Sequence, residues 1–306
     1  MDAATLDQLT IAMDPRAQVL LAAGIVIMMF AIALGLRPEH FAFLRKDPLH
    51  FWGGLAAQII ALPAMTVALA AILEPAPSIA LGMIVVAACP GGNVSNFMTY
   101  AARGDTAYSV SLTAGSSVIA ALWTPAAILL WSELYPPTAD LLAAIAFDRT
   151  AFVMQTTLML AAPLGLGMAT AYFRPGVAEK IRKPFAIFGA VLIAVVIVYG
   201  TIDFWPILMA GWALIMTPVI LHNAAAFALG IGAGRLLAAS PAQRRSLTFE
   251  VGIQNAGLAI VLLIAQLQGL GGAAAIAAVW GVWHFVSGGA MVAFYRYLDR
   301  RKGTAP

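Results

Sequence analysis

The chain has 306 residues, of which 62% are hydrophobic and only 10% charged. Soluble domains carry about 25% charged residues, so this chain cannot clothe a water-exposed surface and lipid must solvate most of it. The net charge of +3 does not point to nucleic acid, because the basic residues form short clusters between apolar runs, and the lone Cys89 excludes an internal disulfide or a cysteine-clustered metal site.

Residues 1–15 hold Asp2, Asp7 and Asp14 but no basic residue. A cleavable signal peptide needs a positive first region, so this stretch reads as a short exported tail. A membrane span needs about 20 apolar residues. Stretches of that kind follow at 17–36, 51–73, 79–102, 106–131, 151–173, 185–202, 207–237, 246–267 and 273–295. The third is interrupted by Pro90-Gly91-Gly92, and the eighth contains Glu250, Gly252, Gln254 and Asn255. The reading is an all-α polytopic membrane protein, a single domain over 1–306 with about nine transmembrane helices.

Charge supplies an independent test of that count. With the first tail outside, alternate loops on the inner side collect 15 of the 17 basic residues, and only Arg16 and Arg149 fall outside. Positive loops stay cytoplasmic, so the expected topology is N-terminus out and C-terminus in. The expected location is a bacterial-type inner (plasma) membrane.

Two interrupted spans carry the polar content. Proline removes a backbone donor and paired glycines weaken a helix, so the ladder should open at Cys89-Pro90-Gly91-Gly92-Asn93-Val94-Ser95-Asn96. The second opening is expected at Glu250-Val251-Gly252-Ile253-Gln254-Asn255-Ala256-Gly257. Freed backbone groups at membrane depth are tolerable only beside protein or a wet cavity. Two broken helices of opposite direction are the midplane device of inverted-repeat transporters, with spans 1–4 matching spans 6–9 upside down.

Glu250 is the one carboxylate inside a span, and a buried intramembrane carboxylate is functional by default. Ser109 and Thr113 are four residues apart and share a helical face, as do Glu250 and Gln254. Gln58 lies in the middle of the second span. A carboxylate among hydroxyl, amide and carbonyl oxygens suits a hard monovalent cation and not zinc or copper. Glu250 is also a chemically reasonable proton site, and a proton-coupled carrier stands as the alternative. Taken singly, several of these residues have plainer readings. Gln58 could make a packing bond, Ser109 and Thr113 could bond back to their own helix, and His222 and His284 could be hydrogen-bonded core residues. A channel or a ligand-sensing membrane protein is a more distant reading. An enzyme lacks a nucleophile or metal cluster to support it.

At these residues the chain resembles the bile acid:sodium symporter family. The stretch from Cys89 to Asn96 with Arg103-Gly104-Asp105 resembles that family's first crossover helix, and Phe249 to Leu258 resembles the second. Similarity extends to Leu221-His222-Asn223 and Val282-Trp283-His284. The nine stretches resemble the arrangement of animal members, whereas many bacterial members have ten.

The resemblance implies two sodium sites. The first would take Ser95, Asn96, Ser109, Thr113 and Glu250; the second Glu250, Gln254 and Gln58 with the carbonyls of Val251 and Ile253. It also implies a core (about 51–131 and 207–295) and a panel (about 17–36 and 151–202), with a small organic anion bound between them. Asn93 and Asn255 flank the breaks, where helix N-termini would hold a carboxylate without an arginine. The expected function is sodium-coupled symport of an organic anion, a bile acid or a smaller carboxylate, by alternating access across the lipid bilayer.

Overall fold

The computed structural model describes residue 7 and residues 15–145, 147–267 and 269–301, excepting the side chains of 15, 17, 18, 193, 194, 196–208 and 210. Among these residues every regular element is helical. Helix α1 (Pro15–Ala33) leads through a 3₁₀ turn (Pro38–Phe41) to the four-residue α2 (Phe43–Lys46). A long helix follows in three parts: α3 (Pro48–Ala56), a π-helical turn (Ala57–Ala61) and α4 (Leu62–Leu73). The first broken helix is α5 (Pro77–Ala88) with α6 (Asn93–Ala101), and α7 (Thr106–Glu133) runs on from it. A short α8 (Pro136–Ala144) precedes α9 (Arg149–Phe173), α10 (Pro175–Ala210) and α11 (Trp212–Leu236). The second broken helix is α12 (Pro241–Gly252) with α13 (Ala256–Ala265), and α14 (Gly271–Arg301) closes the fold.

Of the nine expected stretches, 106–131, 151–173, 185–202 and 273–295 each lie inside a single helix. Those at 51–73, 79–102 and 246–267 are divided by the π-helical turn or a break, 17–36 runs past the end of α1, and 207–237 begins in α10 and continues in α11. Six of the described helices are long and apolar enough to cross a bilayer, or up to eight when the bent pairs α1 with Pro38–Lys46 and α5 with α6 are added. The expected span at 185–202 lies within α10, which is much longer than anticipated. At 1.5 Å per residue its 36 residues reach about 54 Å, against a hydrocarbon core of about 30 Å. Trp205 of that helix lies outside the described side chains.

The helix ends follow simple rules. Pro48, Pro77, Pro136 and Pro241 sit in first turns, where a missing N–H costs nothing. Asp105 accepts the Tyr108 N–H and Asp148 that of Ala151, while Ser240 and Gln243 form a reciprocal capping box on α12. Asp7 of the N-terminal stretch accepts the Ser78 N–H at 2.8 Å, placing an acid on the first turn of α5.

The Pro241–Ala265 pair is the centre of the molecule: 89% of its apolar window is buried, against 28% for α14. Close crossings bring its neighbours in, as small residues do in lipid. A Cβ on Gly230 would lie 2.5 Å from the Leu247 carbonyl oxygen, and one on Gly82 would lie 2.6 Å from that of Ala273. Thus α11 lies tight on α12, and α5 on α14. Away from this centre, α1 packs chiefly on α9 and α10, and a Cβ on Gly167 would meet Ala33 at 2.5 Å.

Candidate functional site

The two breaks meet. Cys89 ends α5 in extended conformation and α6 restarts at Asn93, turned by 70°. On the other strand of the crossover Gly252 ends α12, Ile253 is extended, and Asn255 caps α13 by accepting the Leu258 N–H at 3.0 Å. The Asn255 N–H donates to the Pro90 carbonyl at 2.9 Å, so the freed backbone of one break satisfies the other.

Glu250 sits at this junction with no exposed surface. Its Oε1 accepts from Ser95 Oγ at 2.6 Å, from Ser109 Oγ at 2.6 Å and from Thr113 Oγ1 at 3.1 Å, and its Oε2 lies 2.9 Å from Thr113. Asn96 Oδ1 is 2.8 Å from Ser109 Oγ and 3.2 Å from Thr113 Oγ1. Thr99 Oγ1 adds a further oxygen, 3.2 Å from Ser109. A hydroxyl has one proton to give. Ser109 therefore faces three acceptors with a single donor, and the cluster holds more lone pairs than protons to fill them. Such an arrangement attracts a hard cation. Thr99 was not among the predicted residues, although it is four residues after Ser95 on α6 and the helical repeat puts both on one face.

A second set surrounds the Glu250 backbone. Gln58 Nε2 donates to the Glu250 carbonyl at 2.8 Å; Gln254 Nε2 donates to it at 3.3 Å and to the Val251 carbonyl at 2.8 Å. Both amide oxygens, Gln58 Oε1 and Gln254 Oε1, are buried and have no partner among the described residues. An unsatisfied buried acceptor costs about 1–3 kcal/mol, so two at one site call for an occupant that accepts lone pairs. Gln58 is brought here by the π-helical turn, a local widening common at functional sites, and Trp123 Nε1 donates to the Ile59 carbonyl of that turn at 3.1 Å. Gly91 supplies the room: a Cβ there would lie 2.9 Å from both Gln58 Nε2 and Glu250 Oε2.

The two predicted anion contacts separate. Asn93 is exposed at the start of α6 and, with Asn96 and Thr113, lines a cavity of about 130 Å³ bounded by α1 and α10. Asn255 is half-buried and spends its side chain on the cap of α13; it does not line that cavity. The plainer readings also divide. His222 is a buried core residue bonded to Thr66 at 2.7 Å, while His284 is buried with neither ring nitrogen partnered among the described residues. Asn223 donates to the Gly252 carbonyl at 2.8 Å and so steadies the end of α12. Cys89 is buried and free.

Residues 22–205, well over half of the chain, match the model of the sodium bile acid symporter family. The chain belongs to that family. It is 32% identical over 279 residues to the uncharacterized sodium-dependent transporter YocS of Bacillus subtilis (strain 168), covering 90% of this chain and 83% of that one. It is 29% identical over 276 residues to the probable chloroplastic sodium/metabolite cotransporter BASS1 of Arabidopsis thaliana, covering 89% of this chain and 66% of the relative. With the human ileal sodium/bile acid cotransporter it shares 25% identity over 237 residues, 76% of this chain and 66% of the relative. The family is one of transporters and not of enzymes, and its members are integral membrane proteins that use sodium. The family match ends before Glu250, but an alignment covering 90% of the chain necessarily includes it.

Proposed function

We propose that the protein is a sodium-coupled symporter that brings a small organic anion inward by alternating access. One observation carries the reading: the intramembrane carboxylate Glu250 stands where two broken helices meet, ringed by hydroxyl and amide oxygens that outnumber the protons available to them. The first sodium ion would take Ser95, Asn96, Ser109, Thr113 and Glu250, with Thr99 adjoining. The second would take the unpartnered oxygens of Gln58 and Gln254 with Glu250 and the backbone at Val251 and Ile253.

A sodium ion in the first place would tie α6, α7 and α12 together and fix the direction of α6, whose first residue Asn93 lines the cavity, and one in the second would tie the π-helical turn to the end of α12. Ion binding would thus organise the anion site, which is the physical content of coupling. The packing of α1 on α9 and α10 supports a panel of those three helices moving against a core of the rest. The distribution of basic residues supports an outside N-terminus in a bacterial-type inner membrane. The cavity at Asn93, about 130 Å³, is well below the roughly 300–1,000 Å³ typical for drug-sized ligands. This favours a small carboxylate over a bile acid.

Uptake into proteoliposomes tests the reading. Labelled mono- and dicarboxylates and a bile acid would be offered under an inward sodium gradient, then under an inward proton gradient with potassium in place of sodium. Accumulation driven by sodium for a small anion is expected. Accumulation that follows the proton gradient and ignores sodium would replace the reading with proton coupling through Glu250.

A further inference from the structure

The helix termini were expected to hold the anion without a basic side chain, yet the structure brings one to the cavity wall. Arg182 of α10 lines the cavity at Asn93, Asn96 and Thr113 and, among the described residues, is the one arginine, lysine or carboxylate that does so, with His40 on the same wall. It also lines a larger vestibule of about 960 Å³ between the end of α1 and the start of α10. Ala186, one turn further along α10, borders both spaces as well. Arg182 therefore stands where the two cavities adjoin.

Its guanidinium is free to bind. Among the described residues it has no carboxylate within 4.0 Å and no hydrogen-bond partner. Glu39 and Glu179 border the vestibule but not the inner cavity, and Arg37 and Lys183 border the vestibule with them. The guanidinium rests on Gly35, just past the end of α1. A Cβ at that position would lie 2.5 Å from Arg182 Cζ and 2.6 Å from Nε, so the glycine leaves room for the guanidinium against the backbone there. A planar fork of N–H donors without a partner is suited to a carboxylate.

We propose that Arg182 is the specificity-determining cation of the translocation path, pairing with the carboxylate of the transported anion as it passes between the Asn93 cavity and the vestibule. The assignment rests on the symport reading above and adds a contact on the panel side that the crossover does not supply. The site selects small anions, because the guanidinium and Asn93 face the same confined space.

The test needs no identified substrate. Cys89 is buried, so Ala186→Cys in the full-length protein gives a reporter on the passage. Its reaction rates with an anionic sulfonatoethyl and a cationic trimethylammonioethyl methanethiosulfonate would be compared, with Arg182 intact and with Arg182→Gln, Arg182→Lys or Arg182→Met added. The anionic-to-cationic ratio is expected to fall about tenfold in the Gln and Met variants and to hold in the Lys variant, since a unit charge a few Å away shifts local potential by that order. Met keeps the long stem over Gly35 and carries the comparison should the Gln variant fail to fold. A ratio unchanged by loss of the charge would overturn the proposal and leave Arg182 as a cation closing the end of α1. The sodium-dependent thermal shift, read on the same variants, is expected to stay as in the parent; its absence in the parent would indict the sodium reading instead.

Discussion

The two broken helices reach the same end by different means. In α5–α6 the break is built from backbone: Pro90 lacks a donor, Gly91 and Gly92 lack side chains, and the chain turns by 70°. In α12–α13 the two helices together count as one span, Pro241–Ala265, without the sharp bend of the first pair, and side chains manage the opening. Gln254 returns its amide to the carbonyls of Glu250 and Val251, and Asn255 caps the next helix. The first break is thus a shaped space and the second a set of ligands. A site for an ion needs both, and Gly91 facing Glu250 is where they join.

The comparison predicts how each half fails. Gly91→Ala is expected to have the largest effect, because its methyl carbon would lie 2.9 Å from both Gln58 Nε2 and Glu250 Oε2. We expect sodium-dependent stabilisation to be lost and transport abolished, with the helical circular dichroism unchanged. A Gly91→Ala protein with normal sodium response would mean that the first break only bends the chain.

Gln58→Leu and Gln254→Leu should act on ligation and not on shape. Each removes an unpartnered oxygen, relieving a cost of about 1–3 kcal/mol, while also removing an amide donor to the broken end. Stability in potassium should change little, whereas the sodium concentration for half-maximal uptake should rise at least about tenfold, about 1.4 kcal/mol of lost binding. If both variants lost stability equally in sodium and potassium, the glutamines would be packing residues.

Asn255→Ala comes next. It loses the cap on Leu258, worth about 1 kcal/mol, and should lower the melting temperature in sodium and potassium alike. Because Asn255 does not line the Asn93 cavity, the concentration dependence for the anion should be nearly unaffected, whereas Asn93→Ala should weaken it severalfold. The reverse ranking in uptake assays would restore Asn255 as a direct anion contact.

The smallest effect should come from Asp47→Asn, at the start of α3 and remote from both breaks. Its carboxylate is 2.6 Å from His50 Nδ1 and accepts from Gln243 Nε2 at 3.2 Å, and the His50 bond holds its pKa below the usual carboxylate value. A depressed folded pKa gives stability that is present above the unfolded value and is lost as pH falls through the folded one. The pair is partly exposed, so at neutral pH the variant should be less stable by about 0.2–1 kcal/mol. The two proteins should converge in acid, with sodium response unaltered throughout. A gap that persists at low pH would assign the difference to something other than this carboxylate.

The breaks and the residues around Glu250 were legible in the sequence because their signals are chemically rare: a carboxylate, paired glycines and a proline within apolar stretches. Ser109 and Thr113 could be placed on one face by their spacing, and the structure turns both to Glu250. Other features leave no such mark. The π-helical turn at Ala57–Ala61 is composed of ordinary span residues, and only packing, including Trp123 on the Ile59 carbonyl, reveals it. Thr99 stayed hidden because an isolated threonine in a span has an equally good bond to its own helix. Arg182 read as a topology residue because loop cationic clusters usually are; its place at the cavity depends on the length of α10 and on Gly35, 147 positions earlier in the chain. The different duties of Asn93 and Asn255 were also invisible, since both simply border a break.

The most direct test of the central claim compares the melting temperature of the purified protein in sodium and in potassium at equal ionic strength, with Glu250→Ala alongside. At 100 times its dissociation constant, sodium bound only to the folded state should stabilise by about 2.7 kcal/mol, and the variant should lose that increment. Equal melting temperatures in the two salts, with Glu250 intact, would contradict the account.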